Sequence, residues 1–157
     1  MNKRIFLGSA ILIAGMLLQS GCATMPEATG AENDKSVAAV RAVLDAQVAA
    51  WNRGDIEEFM IGYERAETIV FVSGDNVTRG WQPVMDRYRK NYGSPEKMGT
   101  LAFSELEIKP LSPFYAMAVG RWQLTRAGDT PRGRFTLIFR RTAEGWRIVH
   151  DHTSSAQ

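Results

Sequence analysis

Cysteine and histidine are almost missing from this sequence of 157 residues, which contains one cysteine, Cys22, and two histidines. A single cysteine excludes an internal disulfide, so the folded part must be stable through its core alone. The histidines, His150 and His152, stand two places apart, and no third ligand follows at an obvious spacing. The sequence therefore predicts no metal site.

Recognisable catalytic motifs are missing as well. The chain has no nucleophile elbow, no P-loop, no dinucleotide fingerprint and no zinc-protease motif. We therefore expect no bound cofactor. Any site must be built from dispersed side chains that the fold brings together.

Basic and acidic residues balance in the chain after the first four residues. The sequence has 19 basic and 17 acidic residues, and Lys3 and Arg4 account for the whole formal excess of +2. Binding to phosphate backbones needs a concentrated basic surface. Nucleic acid is therefore not an expected partner.

The longest apolar run is the fourteen residues 5–18, which is short for a membrane span. Two basic residues precede it and small residues follow it, as in a secretory signal peptide. The segment Ser20-Gly21-Cys22 resembles the cleavage site of bacterial lipoproteins, although Leu18 stands one place earlier than the leucine usual there. An ordinary cleaved signal that leaves a free thiol is the alternative.

The lipoprotein resemblance implies a diacylglycerol on the Cys22 sulfur and a further acyl chain, such as palmitate, on its amino group. Two or more chains give durable anchoring. Ala23 implies the outer membrane rather than retention in the inner membrane. We expect a lipoprotein of the bacterial cell envelope, with a periplasmic domain and the membrane as a partner through its lipid anchor.

The rest of the chain divides into a tether and one domain. Residues 1–21 form the signal peptide. Residues 22–35 carry Pro, Gly, Ala and charge without periodicity and are predicted to be a lipidated tether. Residues 36–157 have the length of one domain, and their four Trp, six Phe and four Tyr are ample for its core.

The pattern of this domain places helices before strands. Apolar spacing and capping residues predict helices from Asp34 or Ser36 to Gly54, from Asp55 through Tyr63, and from Trp81 to Tyr92. Predicted strands are Thr68–Ser73, Val77–Arg79, Thr100–Lys109, Phe114–Arg126, Arg132–Arg141 and Trp146–Thr153. A phase change between Phe103 and Leu106 predicts a bulge near Glu105. The class is α+β, with helices packed on a strongly curved antiparallel sheet.

Four phrases in this order resemble the SnoaL-like, nuclear-transport-factor-2-like superfamily: WNRGD at 51–55, VTRGW at 77–81, GRFTL at 133–137 and GWRIVHDHTS at 145–154. The resemblance spans residues 36–154. It implies a cone-shaped fold of three N-terminal helices on the curved sheet, with a pocket between them. It also implies a homodimer through the outer sheet face, as in many relatives. The fold hosts isomerases, cyclases, dehydratases, hydrolases and non-catalytic binders.

Pairing in the last hairpin suggests which polar side chains enter that pocket. A four-residue loop, 142–145, would set Leu137 opposite His150 and Phe135 opposite His152, and paired residues share a face. Both histidines would then face inward, either as proton-transfer or ligand groups or as hydrogen-bonded structural residues. Asp151 would face outward, as an ion-pair partner of a strand arginine; a general-base role is the alternative.

Other candidate pocket residues are one arginine and five aromatics. Arg121 could reach inward as an anion anchor, or pair with Glu105 outside. The aromatics have core and ligand-contact roles that overlap in a hollow fold; they are Trp51, Tyr63, Trp81, Tyr88 and Trp122.

Three functions remain open from the sequence. The leading hypothesis is a binding module whose aromatic pocket holds a small, mostly apolar ligand. The second is a cofactor-free proton-transfer enzyme of isomerase, cyclase or dehydratase type, with His150 or His152 as base. The third is a non-catalytic envelope scaffold whose own side chains fill the cavity.

Overall fold

The structure, a computed structural model, describes residues 30–156. The predicted signal peptide, Cys22 and the first part of the tether lie outside the described residues. Its helices are α1 Gly30–Asn52, α2 Ile56–Phe59, α3 Trp81–Asn91 and α4 Pro95–Met98, with a 3₁₀ turn at Met60–Gly62. Its strands are β1 Val70–Ser73, β2 Asn76–Arg79, β3 Thr100–Ser112, β4 Tyr115–Thr125, β5 Arg132–Thr142 and β6 Gly145–Thr153.

Helix α1 begins at Gly30, earlier than the predicted start at Asp34 or Ser36. Ala31, Glu32 and Lys35 have good helix propensity, and the stretch contains no proline, so the helix extends backwards through the weaker Asn33 and Asp34. Residues 30–35, predicted as tether, therefore belong to the helix. The short α4 was also absent from the sequence-based prediction.

The junction between α1 and α2 follows the sequence pattern. Gly54 has a positive φ of 79°, which a side chain would disfavour, and it lies just beyond the end of α1. The Asp55 carboxylate then accepts a hydrogen bond from the Glu58 backbone N–H at 2.9 Å. The predicted N-cap of α2 is confirmed.

The six strands form one sheet in the order β2-β1-β6-β5-β4-β3. All neighbouring pairs are antiparallel except β1 and β6, which are parallel. The helices pack on one face, and α1 makes its main strand contacts with β3. This α+β architecture is the predicted one.

The predicted bulge at Glu105 is present. The pairing of β3 with β4 shifts between Ser104 and Glu107, and Glu105 has a φ of 52°. The Glu105 carboxylate points outward, where it lies 2.6 Å from Arg134 and 3.7 Å from Arg121. A bulge bends and twists its strand, which helps the sheet curve around the helices.

A second bulge, in β6, makes the predicted pairing of the last hairpin wrong. Phe139 pairs with Ile148 as expected, but Ile138 pairs with His150, so Val149 is an extra residue. Because strand side chains alternate between faces, one extra residue reverses every later position. His150 and His152 therefore lie on the outer face, and Asp151 faces inward. The loop holds only Ala143 and Glu144, since Thr142 pairs with Gly145.

The core lies between the helices and the concave sheet face, while the outer face is partly apolar. Fully buried side chains include Leu44, Met60, Ile69, Met85, Phe139 and Ile148. Met117, Val119 and Ile138 lie half-buried on the outer face. Dimerisation through this face stays a prediction. Within residues 30–156, no helix has both the length and the apolar character needed to cross a membrane.

Candidate functional site

A cavity of about 120 Å³ lies between the concave sheet face and helices α1 and α3. An apolar cavity of about 150 Å³ can hold benzene, so this space suits a ligand of about one ring. Most of its wall is aromatic or aliphatic. The lining residues are Gln47, Trp51, Phe59, Tyr63, Phe71, Ser73, Arg87, Tyr88, Asn91, Tyr92, Leu101, Phe103, Trp122, Leu124, Phe135, Leu137, Ile148, Asp151, Thr153 and Ser155.

Interlocked aromatic rings form the helical wall of this cavity. The Trp51 ring meets Phe59 and Tyr92 edge-on, with centroids 5.2 and 4.8 Å apart, and Phe59 meets Tyr88 at 5.0 Å. The Trp51 indole N–H donates to the Met98 carbonyl at 3.3 Å, so α4 fixes its orientation. Edge-to-face pairs add stability beyond their buried area. The wall is therefore held in shape before any ligand binds.

One buried polar network faces the cavity. The Tyr63 hydroxyl donates to Asp151 Oδ2 at 2.7 Å, and the Thr153 hydroxyl donates to Oδ1 at 2.8 Å. The Tyr63 and Tyr88 hydroxyl oxygens lie 3.0 Å apart. The single hydroxyl hydrogen of Tyr63 is used in its hydrogen bond to Asp151. Tyr88 is therefore the donor in the hydrogen bond between the two tyrosines. This leaves the Tyr88 oxygen able to accept a hydrogen bond from a ligand.

Burial shapes the protonation of this network. Desolvation raises the pKa of Asp151, although hydrogen bonds from Tyr63 and Thr153 partly oppose the rise. Desolvation, with the Asp151 charge adding to it, also raises the pKa of Tyr63 and of Tyr88. Both phenols therefore keep their protons at neutral pH. The site combines a carboxylate of raised pKa with two phenols that stay protonated.

A polar rim, formed by Ser73, Arg87, Asn91 and Ser155, borders the apolar space. Arg87 is half-buried, and its guanidinium lies 5.1 Å from the centroid of the Phe71 ring. Among residues 30–156 no carboxylate lies within ion-pair distance of Arg87. The charge of Arg87 also acts on Tyr88, whose pKa it lowers against the larger effect of burial. Arg87 is thus a cation available at the cavity.

The structure brings four of the predicted aromatics together and separates the fifth. Trp51, Tyr63, Tyr88 and Trp122 line the cavity. Trp81 instead borders a separate surface depression, where its indole N–H donates to the Met60 carbonyl and Arg65 stacks 4.8 Å from its ring. Ligand binding by any of them stays a prediction.

The predicted orientations of the polar candidates are mostly wrong. Arg121 lies on the outer face beside Glu105, which is the alternative weighed above. His150 and His152 lie on that face too, so their predicted inward orientation is wrong. The outward prediction for Asp151 is also wrong, because the Val149 bulge turns its carboxylate inward, where the residue is 4% exposed.

Sequence reasoning missed Arg87 and Thr153 as lining residues, and it gave Asp151 a role in the site only as the general-base alternative. Arg87 precedes Tyr88 on α3, and its place there depends on how the helix lies over Phe71. No group of three or more His, Cys, Asp or Glu side chains in residues 30–156 is arranged to hold a metal ion.

Helices on one face of a bent six-stranded sheet, with a cavity between them, define the cone-shaped class of α+β proteins. Within that class, a family profile for the SnoaL-like domain matches residues 40–157. The chain belongs to the SnoaL-like domain family, whose structural neighbours are NTF2-like proteins.

Solved structures agree with this assignment. An NTF-2 like protein of unknown function from Shewanella oneidensis MR-1 is 40% identical, with a TM-score of 0.72 over 75% of this chain and 98% of that one. An NTF2-like superfamily protein from Salmonella enterica is 19% identical, with a TM-score of 0.64 over 79% and 93%. A ketosteroid isomerase-like protein from Erwinia carotovora atroseptica is 19% identical, with a TM-score of 0.61 over 79% and 98%. No curated protein matches the chain.

The raised pKa of Asp151 predicts a pH dependence of stability. Between the ordinary carboxyl pKa of 3.8 and the raised folded value, the folded state binds more protons than the unfolded state. The free energy of unfolding should therefore fall as pH rises through this window. Asp151→Asn should remove this part of the slope.

Urea unfolding of wild type and Asp151→Asn from pH 4 to pH 8 measures the effect. The difference between the two proteins isolates Asp151 from the other carboxyl groups. A difference that does not change with pH would contradict the prediction. Asp129→Asn is a matched control, since the Asp129 side chain is 59% exposed, and it should keep the wild-type slope.

Proposed function

We propose that this protein is an exported, lipid-anchored member of the SnoaL-like family whose cavity binds a small, mostly apolar molecule. The observation that carries the proposal is the cavity itself. Rigid aromatic walls surround about 120 Å³ of open space, and one polar network faces into it. Ligand sites typically combine apolar walls with a few fixed polar groups. The scaffold hypothesis is less favoured, because the protein's own side chains leave this space open.

Chemical features of the ligand follow from the lining. An apolar ring would pack against sheet residues such as Phe103, Phe135 and Leu137. A hydrogen-bond donor on the ligand would suit the free acceptor of Tyr88. A carboxylate would pair with Arg87 at the rim, where charge-assisted hydrogen bonds are stronger than neutral ones. A small ring with one acidic substituent fits this arrangement.

Benzoate and benzyl alcohol test the ligand proposal as a matched pair of probes. Both should shift NMR signals of cavity residues, with benzoate binding more tightly. Arg87→Gln should weaken benzoate about five-fold, since a half-exposed charge pair contributes about 1 kcal/mol, and should leave benzyl alcohol unchanged.

Arg89→Gln is the control variant for this titration. Arg89 lies two residues further along α3 but pairs with Glu57 on the exposed surface. Binding of neither probe would contradict the pocket proposal. If Arg87→Gln and Arg89→Gln weaken benzoate binding equally, the role of Arg87 is contradicted, and the pocket proposal itself stands.

A proton-transfer enzyme is the second candidate, and a specific observation favours it. Asp151 is buried in the cavity wall, and burial raises its pKa, which makes its carboxylate a stronger base. The Tyr88 oxygen, whose proton is directed at Tyr63, could accept a hydrogen bond from a substrate hydroxyl and position it. The ketosteroid isomerase-like neighbour points the same way, although 19% identity establishes fold alone. In this hypothesis the base is Asp151, in place of His150 or His152.

Exchange of carbon-bound hydrogen tests the enzymatic alternative. In D₂O, wild-type protein should accelerate deuterium incorporation next to the carbonyl of cyclohexanone, and Asp151→Asn should reduce the rate to that of buffer. Proton NMR follows the exchange. A His150→Phe variant should retain the activity, because His150 lies on the outer face. Wild-type exchange at the buffer rate would count against the enzyme and leave the binding proposal standing.

The location of the protein is a separate part of the proposal. The segment Ser20-Gly21-Cys22 after a short apolar run supports export, cleavage and lipidation at Cys22. The expected place is the outer membrane, with the folded domain in the periplasm.

Mass spectrometry of the protein purified from a bacterial host tests this location. The mature chain should begin at Cys22 and carry the added mass of a diacylglycerol and an acyl chain. Cys22→Ser should remain unlipidated and leave the membrane fraction. A free thiol at Cys22 in the wild-type protein would refute lipidation, and a retained Met1 would refute cleavage.

A further inference from the structure

The turn between β3 and β4 exposes three large apolar side chains. Leu111, Phe114 and Tyr115 are 52%, 55% and 42% exposed. We call these three residues the hairpin tip. Three such side chains within five residues form an unusual concentration of apolar surface on this domain, where the other exposed large apolar residues are Ile61 and Val77.

The hairpin tip is held in a defined shape. The Ser112 hydroxyl oxygen accepts hydrogen bonds from the backbone N–H groups of Phe114, at 3.2 Å, and Tyr115, at 3.1 Å. The Phe114 carbonyl accepts a third from the Arg141 N–H at 2.8 Å. The apolar side chains are thus presented on a fixed backbone, so ordering them at a surface costs little entropy.

The first turn of α1 lies at the same end of the domain as the hairpin tip. Glu32 lies 4.0 Å from Arg141, the residue that donates to Phe114. The other end of α1 reaches the start of β3, where the Asn52 side chain exchanges two hydrogen bonds with the Leu101 backbone. Leu101 also lines the cavity. Helix α1 therefore runs from the hairpin tip to the cavity end, a length of about 34 Å.

The chain before α1 is short. Gly30 begins the helix, eight residues after Cys22. Eight residues reach at most about 28 Å when fully extended. A lipid on Cys22 therefore keeps the first turn of α1 within about 28 Å of the bilayer, with the hairpin tip at the same end of the domain. The cavity end lies at the opposite end of α1.

Basic side chains flank the hairpin tip. Arg140 pairs across the sheet with Tyr115, and Arg141 follows it. Lys109 is exposed on β3, and no ion pair forms to it among residues 30–156. Arg140 and Arg141 have partners in Glu64 and Glu32, yet both side chains stay about half exposed. Aromatic and aliphatic residues with exposed basic neighbours suit a phospholipid headgroup layer.

We propose that the hairpin tip inserts into the headgroup region of the bilayer that holds the Cys22 lipid. This inference rests on the lipid anchor of the proposed function. The tether brings the tip to the membrane, and Leu111, Phe114 and Tyr115 then fix the orientation of the domain. In that orientation the cavity end faces away from the membrane, open to ligands in the surrounding solution.

Site-directed spin labelling tests the orientation, because lipidation consumes the natural cysteine. Lipidated Pro113→Cys and Asp75→Cys proteins are labelled in vesicles of phosphatidylethanolamine and phosphatidylglycerol. Pro113 lies in the hairpin tip turn, and Asp75 lies in the β1–β2 turn at the other end of the sheet. Oxygen concentrates in the bilayer, whereas a nickel chelate stays in water. The ratio of their collision rates with the spin label should therefore be several-fold higher at position 113 than at position 75. Adding Phe114→Ser should lower the ratio at position 113 to that of a label fully exposed to water.

Vesicle flotation separates the anchor from the tip. If the protein floats with the vesicles but the labels at both positions show the collision ratio of water-exposed sites, the tip proposal is overturned and the lipid anchor stands. Protein that does not float would contradict the anchor, and the tip proposal with it. Spin–spin broadening between labels at position 113 would show that a second copy of the chain covers the tip, which would also overturn it.

Discussion

The hydrogen bond from Tyr63 to Asp151 joins the helical layer to the sheet at the centre of the site. A buried carboxylate is costly unless hydroxyl or amide donors solvate it, and here Tyr63 and Thr153 do so. The backbone reinforces the same connection, because Glu64 N–H donates to the Ile148 carbonyl at 2.9 Å. The position of the helical wall, and so the shape of the cavity, depends on this junction.

The two ends of the domain have different characters. One end carries the cavity, with Arg87 at its polar rim and Asp151 within it. The other carries the start of α1 and the apolar turn around Phe114. Helix α1 connects the two ends.

Much of this fold could be predicted because local patterns encode it. The Asp55 cap needs only its neighbour three residues later, and the bulge at Glu105 shows as a phase change between Phe103 and Leu106. The apolar spacing of α1 and α3 places Trp51 and Tyr88 on the faces that pack inward. The start of α1 was less predictable, because residues 30–36 mix strong helix formers such as Ala31 and Glu32 with weak ones such as Asn33 and Asp34, and Asp34 and Ser36 are both possible N-caps.

Sequence alone determined the order of helices α1 to α3 and of the strands along the chain, the bulge that bends the sheet at Glu105, and four of the aromatic residues that line the cavity. Tertiary structure decided which polar side chain enters it. After Ile148 the residues Val-His-Asp-His-Thr have no apolar alternation, so the sequence contains no sign of the Val149 bulge. The bulge arises where β6 pairs with β5 on one side and with β1 on the other. That pairing places Asp151 beside Tyr63 and turns both histidines outward, because one extra residue reverses the faces of a strand.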